Sequence, residues 1–187
     1  MDRPLARHGP FHRGGRGACH SHFDSERFRT QLTFHLARWR LVYGLIASVA
    51  LAFHTRYAIG VNVTASLPYR VFIIDKGERP ARGHYVAFRW PGGGAYAAGV
   101  TFVKQIAGAP GDVVTRVGRD FFVNGVPVGL AKPMSRSGQR LEPGPTGMLP
   151  AGRYYVRAPH PDSLDSRYAL LGWISESQII GRAYVLF

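Results

Sequence analysis

The order of hydrophobic and polar residues divides this 187-residue chain into three stretches. Residues 1–37 mix Arg, His, Gly and Pro without a sustained helical or strand period, so they lack an apolar face that could pack. An apolar run follows within residues 38–61, and from residue 62 onward short alternating runs are separated by Gly and Pro. The pattern predicts a disordered tail, one apolar helix and a β-rich domain.

The central apolar run predicts a helix that crosses a membrane. Residues 41–55 contain no Lys, Arg, Asp or Glu, and a helix over residues 38–61 has an apolar length of about 30 Å if Arg56 extends toward the far interface. A buried helix in the core of a globular domain has a similar length, and it is the alternative interpretation.

Basic residues before the apolar run predict the orientation of this helix. Arg38 and Arg40 stand on its N-terminal flank, and cytoplasmic flanks of membrane helices are enriched in such residues. No small-residue cleavage site follows the run, which favours an uncleaved anchor. We therefore expect a single pass through a bacterial cytoplasmic (inner) membrane, with a basic cytoplasmic tail over residues 1–37 and a periplasmic domain over residues 62–187.

The C-terminal stretch, residues 62–187, predicts a mainly β domain of antiparallel strands. Runs such as YRVFIID, GHYVAFRW and RDFFVNGVPV alternate apolar and polar residues between turn signals. Asn124 and Gly125 give the strongest hairpin signal, because a type I′ turn needs a positive φ at both central residues. Residues 131–150 are rich in Pro and Gly and predict a long loop.

The net charge of +13 first suggests a nucleic-acid partner. Five of these net charges belong to residues 1–40 and seven are spread over residues 62–187, without a basic patch, so we expect no nucleic acid. Cys19 is the single cysteine and cannot form an internal disulfide. Together with His20 and His22 it lacks a second ligand pair, and the sequence predicts no metal and no cofactor.

A serine nucleophile needs a neighbouring base, and histidine is the first candidate. The chain has no G-x-S-x-G turn, and only His84 and His160 lie in the predicted β domain. Neither has a distinctive sequence setting. We interpret both as structural or surface residues.

Lysine is the second candidate base, and only three of the 24 basic residues are Lys. Lys76 and Lys132 lie in polar segments, whereas Lys104 shares one face of a predicted strand with Phe102 and Ile106. Burial beside apolar neighbours lowers the pKa of an amine, which lets it accept a proton. An outward-facing charge on the strand is the alternative.

Ser66 is the candidate nucleophile. It lies in the segment Ser66-Leu67-Pro68, just beyond the predicted membrane exit, where a turn could present it to a substrate at the bilayer surface. Pro68 restricts its own φ and lacks an N–H donor, which favours such a turn. A serine before Leu-Pro is common in loops, so this signal depends on the pairing with Lys104.

Four short segments occur along the chain in a distinctive order. Together they resemble the type I signal peptidase family (S26-like, with a Ser/Lys dyad), and most closely its conjugative-transfer (TraF-type) branch. The resemblance runs from about Arg38 to Phe187. The segments are N-x-T-x-S-x-P at residues 62–68, GHYVAF at 83–88, FVKQIAGAPGD at 102–112 and DSLDSRY at 162–168, followed by Gly172 and Ile180-Gly181.

The resemblance implies a role for each matching residue. Ser66 would be the acyl-forming nucleophile and Lys104 its general base. The hydroxyl of Thr64 and the backbone N–H of Ser66 would donate to the oxyanion that develops in the reaction. Ser163 would hydrogen-bond the catalytic amine.

The same resemblance implies an ion pair between Asp165 and Arg167 that supports the site. The alternative is that Asp165 and Arg167 only hold their own loop and have no direct chemical role.

For function, the resemblance implies a membrane-anchored serine endopeptidase that processes a pilin precursor or another secreted protein of a conjugative transfer system. Its partners would be that protein substrate, the cytoplasmic membrane and other proteins of the transfer channel. One alternative is a general type I signal (leader) peptidase. The other is a non-enzymatic, membrane-anchored component of a secretion or conjugation channel.

Overall fold

The computed structural model describes residues 25–187. The chain forms two compact units, and the boundary between them lies within the long helix: one unit ends at Ala47 and the other comprises Ser48–Phe187. Helix α1 extends over Ser25–Arg56. Its apolar side chains are exposed, with Leu41 80% accessible. By length and composition, α1 is sufficient to cross a membrane.

The unit Ser48–Phe187 is built mainly from antiparallel strands, which confirms the predicted fold class. Its strands are β1 Tyr57–Val61, β2 Val71–Asp75, β3 Tyr85–Arg89, β4 Thr101–Gly108, β5 Val113–Val117, β6 Asp120–Val123, β7 Val126–Leu130, β8 Gly147–Met148, β9 Arg153–Arg157, β10 Ile174–Ser175 and β11 Ile179–Val185.

The predicted bounds of the helix and the tail were wrong where the structure describes them. Residues 25–37 are helical, because Leu, Arg, Gln and Glu favour helix even without an amphipathic face. The helix ends at Arg56 rather than continuing through residues 57–61, because that segment pairs with β2 and the sheet satisfies its backbone groups. Residues 1–24 of the predicted tail, with Cys19, His20 and His22, lie outside the described residues.

The last turn of α1 is fixed to the turn after β2. Arg56 Nε lies 2.7 Å from Asp75 Oδ1, and Lys76 Nζ donates to the carbonyl of His54 at 2.8 Å. The backbone N–H of Lys76 also donates to the carbonyl of Arg56 at 2.9 Å. The carbonyl groups that a helix end leaves unpaired are therefore partly satisfied by this turn.

Two sheets organise the β domain. The larger has seven strands in the order β1-β2-β11-β3-β4-β9-β10, and the smaller has four in the order β7-β6-β5-β8. The predicted hairpin is confirmed, since β6 pairs with β7 and both Asn124 (φ 50°) and Gly125 (φ 79°) have positive φ. Most of the predicted loop 131–150 is irregular, and β8 lies near its end.

Strand β4 lies near the middle of the larger sheet, where both of its edges are paired. It pairs with β3 through Val86↔Lys104 and with β9 through Ile106↔Val156. Phe88 and Trp90 pack with Ile106 and Val156 in one buried cluster. A residue on this strand is therefore held by hydrogen bonds on two sides and by a packed face.

Candidate active site

The loop between β1 and β2 presents a short array of polar side chains. Thr64 Oγ1 and Ser66 Oγ lie 2.9 Å apart, and the Thr64 hydroxyl donates to Asn62 Oδ1 at 3.0 Å. Because Thr64 has one hydroxyl proton and directs it to Asn62, Ser66 is the donor in the contact between the two hydroxyls. Ser66 is 8% accessible, although its neighbours Thr64 and Ala65 are exposed.

Asn62 organises this loop, a role that the sequence reasoning did not assign. Its amide nitrogen donates to the carbonyls of Leu67 at 3.4 Å and Tyr69 at 3.1 Å. Its amide oxygen also accepts the backbone N–H of Thr64 at 3.2 Å. Asn62 therefore closes the loop around Ser66, and the Asn two residues before Thr64 is the sequence signal for this Asx-type turn.

Leu67 anchors the other side of Ser66. It is 4% accessible and belongs to a buried cluster that includes Phe72, Ala87 and Ala158. Because the residue directly after Ser66 is buried in the core, the serine backbone is held while the preceding residues remain at the surface.

Lys104 lies in the interior, as its alternation with apolar residues predicted. It is 5% accessible, and its Nζ lies 5.7 Å from the centre of the Phe102 ring. Burial lowers the pKa of the Lys104 amine to about 8, which outweighs the attraction of Asp165 in the opposite direction. A substantial fraction of the amine is therefore neutral at mildly alkaline pH.

Ser163 is the hydrogen-bond partner of this amine. Lys104 Nζ donates to Ser163 Oγ at 2.8 Å, and both residues are buried. The two residues are 59 positions apart in the sequence, so the contact depends on the arrangement of the sheet and the following loop. The resemblance placed Ser163 beside the amine, and the structure shows this contact.

Asp165 and Arg167 form a buried ion pair behind Ser163. Arg167 Nε and Nη2 each lie 2.8 Å from one carboxylate oxygen of Asp165, and the side chains are 4% and 0% accessible. Asp165 also accepts backbone N–H groups from Ala158 at 3.0 Å and Arg167 at 3.1 Å. This bidentate pair fixes the loop that carries Ser163.

One cavity of about 310 Å³ brings these groups together. Thr64, Ser66, Lys104 and Ser163 all line it, whereas Asp165 and Arg167 lie behind its wall. In the part of the chain that the structure describes, Ser66 bonds to Thr64 and Lys104 bonds to Ser163, and no hydrogen bond joins Ser66 to Lys104. Ser66 Oγ and Lys104 Nζ have to form a hydrogen bond before the two groups can exchange a proton.

The rim of the cavity contains three residues to which the sequence assigned no role in the site: Arg136, His160 and Asp162. Arg136 Nε lies 2.7 Å from Asp162 Oδ2, and the ring nitrogen Nδ1 of His160 accepts the backbone N–H of Asp162 at 3.2 Å. His160 was interpreted as a surface or structural residue, and it does hold the loop while also facing the cavity. No local pattern in the sequence links residue 136 to residue 162.

Beside the guanidinium, imidazole and carboxylate at its rim, the cavity contains the hydroxyls of Thr64, Ser66 and Ser163 and the amine of Lys104. Among residues 25–187, no group of three or more His, Cys, Asp or Glu is placed to hold a metal ion. A buried amine with a lowered pKa can take a proton from a hydroxyl in the same cavity, and that hydroxyl can then attack a carbonyl.

Comparison with known proteins gives matches to signal peptidases. The family model "Signal peptidase, peptidase S26" matches residues 33–187. The chain is 28% identical over 152 residues to a signal peptidase I of Pseudomonas fluorescens, which covers 62% of this chain and 51% of that protein. It is also 28% identical over 146 residues to a signal peptidase I of Pseudomonas aeruginosa, and this match covers 58% of this chain and 49% of that protein. The chain thus spans about half the length of these relatives.

A solved structure is also similar to the chain. The crystal structure of a signal peptidase I from Enterococcus faecalis V583 has 26% sequence identity, and the match covers 59% of this chain and 98% of that chain with a TM-score of 0.38.

Proposed function

Because the chain belongs to the signal peptidase family, peptidase S26, we propose that it is a membrane-anchored serine endopeptidase with Ser66 as nucleophile and Lys104 as general base. The observation that carries the proposal is the buried Lys104 amine, whose pKa is lowered to about 8 by desolvation, in the same cavity as Ser66. A lysine in this state is a suitable base for a serine hydroxyl.

The reaction begins when Lys104 Nζ takes the proton of Ser66 and Ser66 Oγ attacks the carbonyl carbon of the peptide bond. A neutral amine has two N–H groups and one lone pair, so the N–H donated to Ser163 fixes the torsion of the amine and leaves the lone pair for Ser66. Lys104 then returns the proton to the leaving amine. Water, activated by the same amine, releases the acyl group from Ser66.

The negative charge on the carbonyl oxygen needs donors during the attack. The backbone N–H of Ser66 and the hydroxyl of Thr64 are the proposed donors. The contact of 2.9 Å between the two hydroxyls supports this role, because it places Thr64 directly beside the attacking atom. The Thr64 hydroxyl then turns from Asn62 toward the oxyanion as Ser66 Oγ forms its bond to the carbonyl carbon.

The proposed substrate is a protein precursor, and its finer identity is a pilin or another secreted protein of a conjugative transfer system. The support is the N-x-T-x-S-x-P form of the nucleophile loop at residues 62–68. The proposed location is the bacterial inner membrane, with the catalytic domain in the periplasm. Arg38 and Arg40 lie within helix α1 on the N-terminal side of its apolar run, and this asymmetry supports the orientation.

A general signal peptidase is the second candidate, because both Pseudomonas relatives are named signal peptidase I. Complementation of a host depleted of its own signal peptidase separates the two candidates. Growth with a broad set of processed precursors identifies the general enzyme. Failure to support growth, together with cleavage of a pilin precursor encoded beside this gene, identifies the specialised one.

The experiment that tests the catalytic proposal is cleavage of a candidate precursor by the full chain in detergent. We expect cleavage by the parental chain and none above background with Ser66→Ala, whereas Ser177→Ala changes an exposed serine and serves as the matched control. Parental rates with Ser66→Ala would overturn the proposal. A non-enzymatic channel component would show neither cleavage nor labelling of Ser66 by an acylating inhibitor.

A further inference from the structure

The loop after β7 is fixed against the rest of the domain. Arg119 donates to the carbonyls of Ala131 at 2.6 Å, Lys132 at 2.9 Å and Leu141 at 2.7 Å. The backbone N–H of Lys132 donates to the hydroxyl of Tyr168 at 3.2 Å. Three carbonyls bound to one guanidinium hold the backbone at the two ends of this loop together.

Two basic side chains of this loop, Lys132 and Arg136, bond to a single carboxylate at the cavity rim. Lys132 Nζ bonds to Asp162 Oδ1, and Arg136 Nε bonds to Asp162 Oδ2 at 2.7 Å. These two hydrogen bonds, in that order, lower the pKa of the Asp162 carboxyl from its ordinary value, so it stays ionised near neutral pH. Two positive charges share one negative charge, and the cluster keeps an excess of one positive charge.

Arg136 exposes part of this positive charge at the cavity. It lines the cavity, its side chain is 74% accessible, and its bond to Asp162 uses only Nε. The terminal nitrogens of the guanidinium remain able to donate to a second carboxylate. Asp162 is the single acidic residue among those that line the cavity in the described part of the chain, and both of its oxygens already accept hydrogen bonds.

The remaining wall of the cavity is largely apolar or small. It includes Val61, Ala65, Val100, Phe102 and Leu164. A peptide that enters the cavity therefore meets an apolar surface beside Ser66 and a cationic group at the rim. The two environments suit different side chains of the same substrate.

We propose that Arg136, supported by Lys132, is a specificity-determining residue that binds an acidic side chain of the substrate close to the scissile bond. This inference rests on the proposed peptidase function. The substrate class that it predicts is a precursor with small or apolar residues in the cavity and one Asp or Glu at the rim. An exposed pair of this kind is expected to change kcat/KM by about 1.5-fold to fivefold at low salt.

The test uses the full chain in detergent and pairs of peptides based on the expected cleavage region of a candidate precursor. In each pair, Glu or Gln occupies one position near the scissile bond, and successive pairs move this position along the peptide. We expect the Glu peptide to be preferred at one position, with the preference lost in Arg136→Gln and reversed in Arg136→Glu. Raising the ionic strength should also reduce the preference.

Arg140→Gln is the matched control. Arg140 lies on the same loop and is exposed, but it pairs with Glu142 and does not line the cavity. The Glu/Gln ratio should remain that of the parental chain. A ratio near one at every position in the parental chain, or an unchanged ratio in Arg136→Gln, would overturn the inference.

Failure of the peptidase function is distinguished from failure of this inference. If no peptide or precursor is cleaved, the proposed function fails, and the Glu and Gln peptides are compared as ligands by fluorescence anisotropy. Equal affinities for the parental chain and Arg136→Gln then overturn the inference. Tighter binding of a Glu peptide that is lost in Arg136→Gln supports the binding site alone.

Discussion

The two sides of the proposed dyad are built in opposite ways. Ser66 lies on a surface loop in which Val63 is 91% accessible, and the side-chain hydrogen bonds that shape this loop join residues no more than seven positions apart. Lys104 lies in the middle of a sheet, and its partner Ser163 is 59 positions away. The side-chain hydrogen bonds of the nucleophile stay within one loop, whereas the hydrogen-bond partner of the amine comes from a distant part of the domain.

This difference follows from what each group has to do. A nucleophile for a protein substrate must be reached by an extended peptide, so its loop has to remain at the surface. Removal from water lowers the pKa of an amine and lets it act as a base near neutral pH, and removal from water requires a packed interior. Changes to the buried side should therefore alter basicity and stability, while changes to the loop should alter only the reaction.

The largest effect should come from Lys104→Arg, which removes the proposed general base from the buried side of the site. Arginine keeps the positive charge and cannot accept a proton near neutral pH, so we expect kcat/KM to fall by about 10⁴-fold. The measurement is peptide cleavage by the purified full chain. Lys76→Arg is the control, because Lys76 is exposed and bonds to a helix carbonyl, and retained activity in Lys104→Arg would refute the assignment of the base.

Asp165→Asn should have the next largest effect, and the quantity that it changes is the free energy of unfolding. It leaves the Arg167 guanidinium buried without its counter-charge, and we expect a loss of about 3–5 kcal/mol in the free energy of unfolding. Urea unfolding followed by circular dichroism measures this loss. Glu142→Gln, in the exposed pair with Arg140, should cost less than about 1 kcal/mol. Equal losses of stability in the two variants would contradict the expected difference between the buried and the exposed ion pair.

Thr64→Val should affect the loop side of the site alone. Loss of the hydroxyl removes a proposed oxyanion donor, so we expect kcat to fall by about 10²-fold with little change in stability. Thr64→Ser retains the hydroxyl and should restore most of the activity. A large loss of stability in Thr64→Val would contradict the expectation that this hydroxyl serves the reaction and not the folded state.

The smallest effect should be seen in the pH dependence. The neutral form of Lys104 is required and its pKa is about 8, so kcat/KM should rise with pH and level off above that value. Ser163 Oγ accepts a hydrogen bond from the amine and so stabilises its charged form. Ser163→Ala should move the midpoint to lower pH and reduce the plateau by about tenfold, because the amine loses its orienting partner.

Ser177→Ala is the control for this profile, since Ser177 is exposed and bonds to Ser175. Its midpoint and plateau should equal those of the parental chain. A midpoint in Ser163→Ala that stays in place or moves to higher pH would contradict the proposed role of Ser163.

The accuracy of the sequence-based predictions depended on how local each feature is. The turn at Asn124-Gly125 and the inward direction of Lys104 were predicted correctly, because each depends on a few neighbouring residues. The helix over residues 38–61 was wrong at both ends, because residues 57–61 have a partner strand that no local pattern shows. The catalytic roles of Ser66 and Lys104 stay predictions.

The sequence by itself determined the class of the fold, the turn positions and a single lysine among apolar residues, since backbone preferences and strand alternation act over short distances. Only the tertiary structure decided that Lys104 meets Ser163 and that Arg136 reaches Asp162. The pairing of distant strands and the exclusion of water depend on packing across the domain. The lowered pKa of Lys104 exists only after that packing is complete.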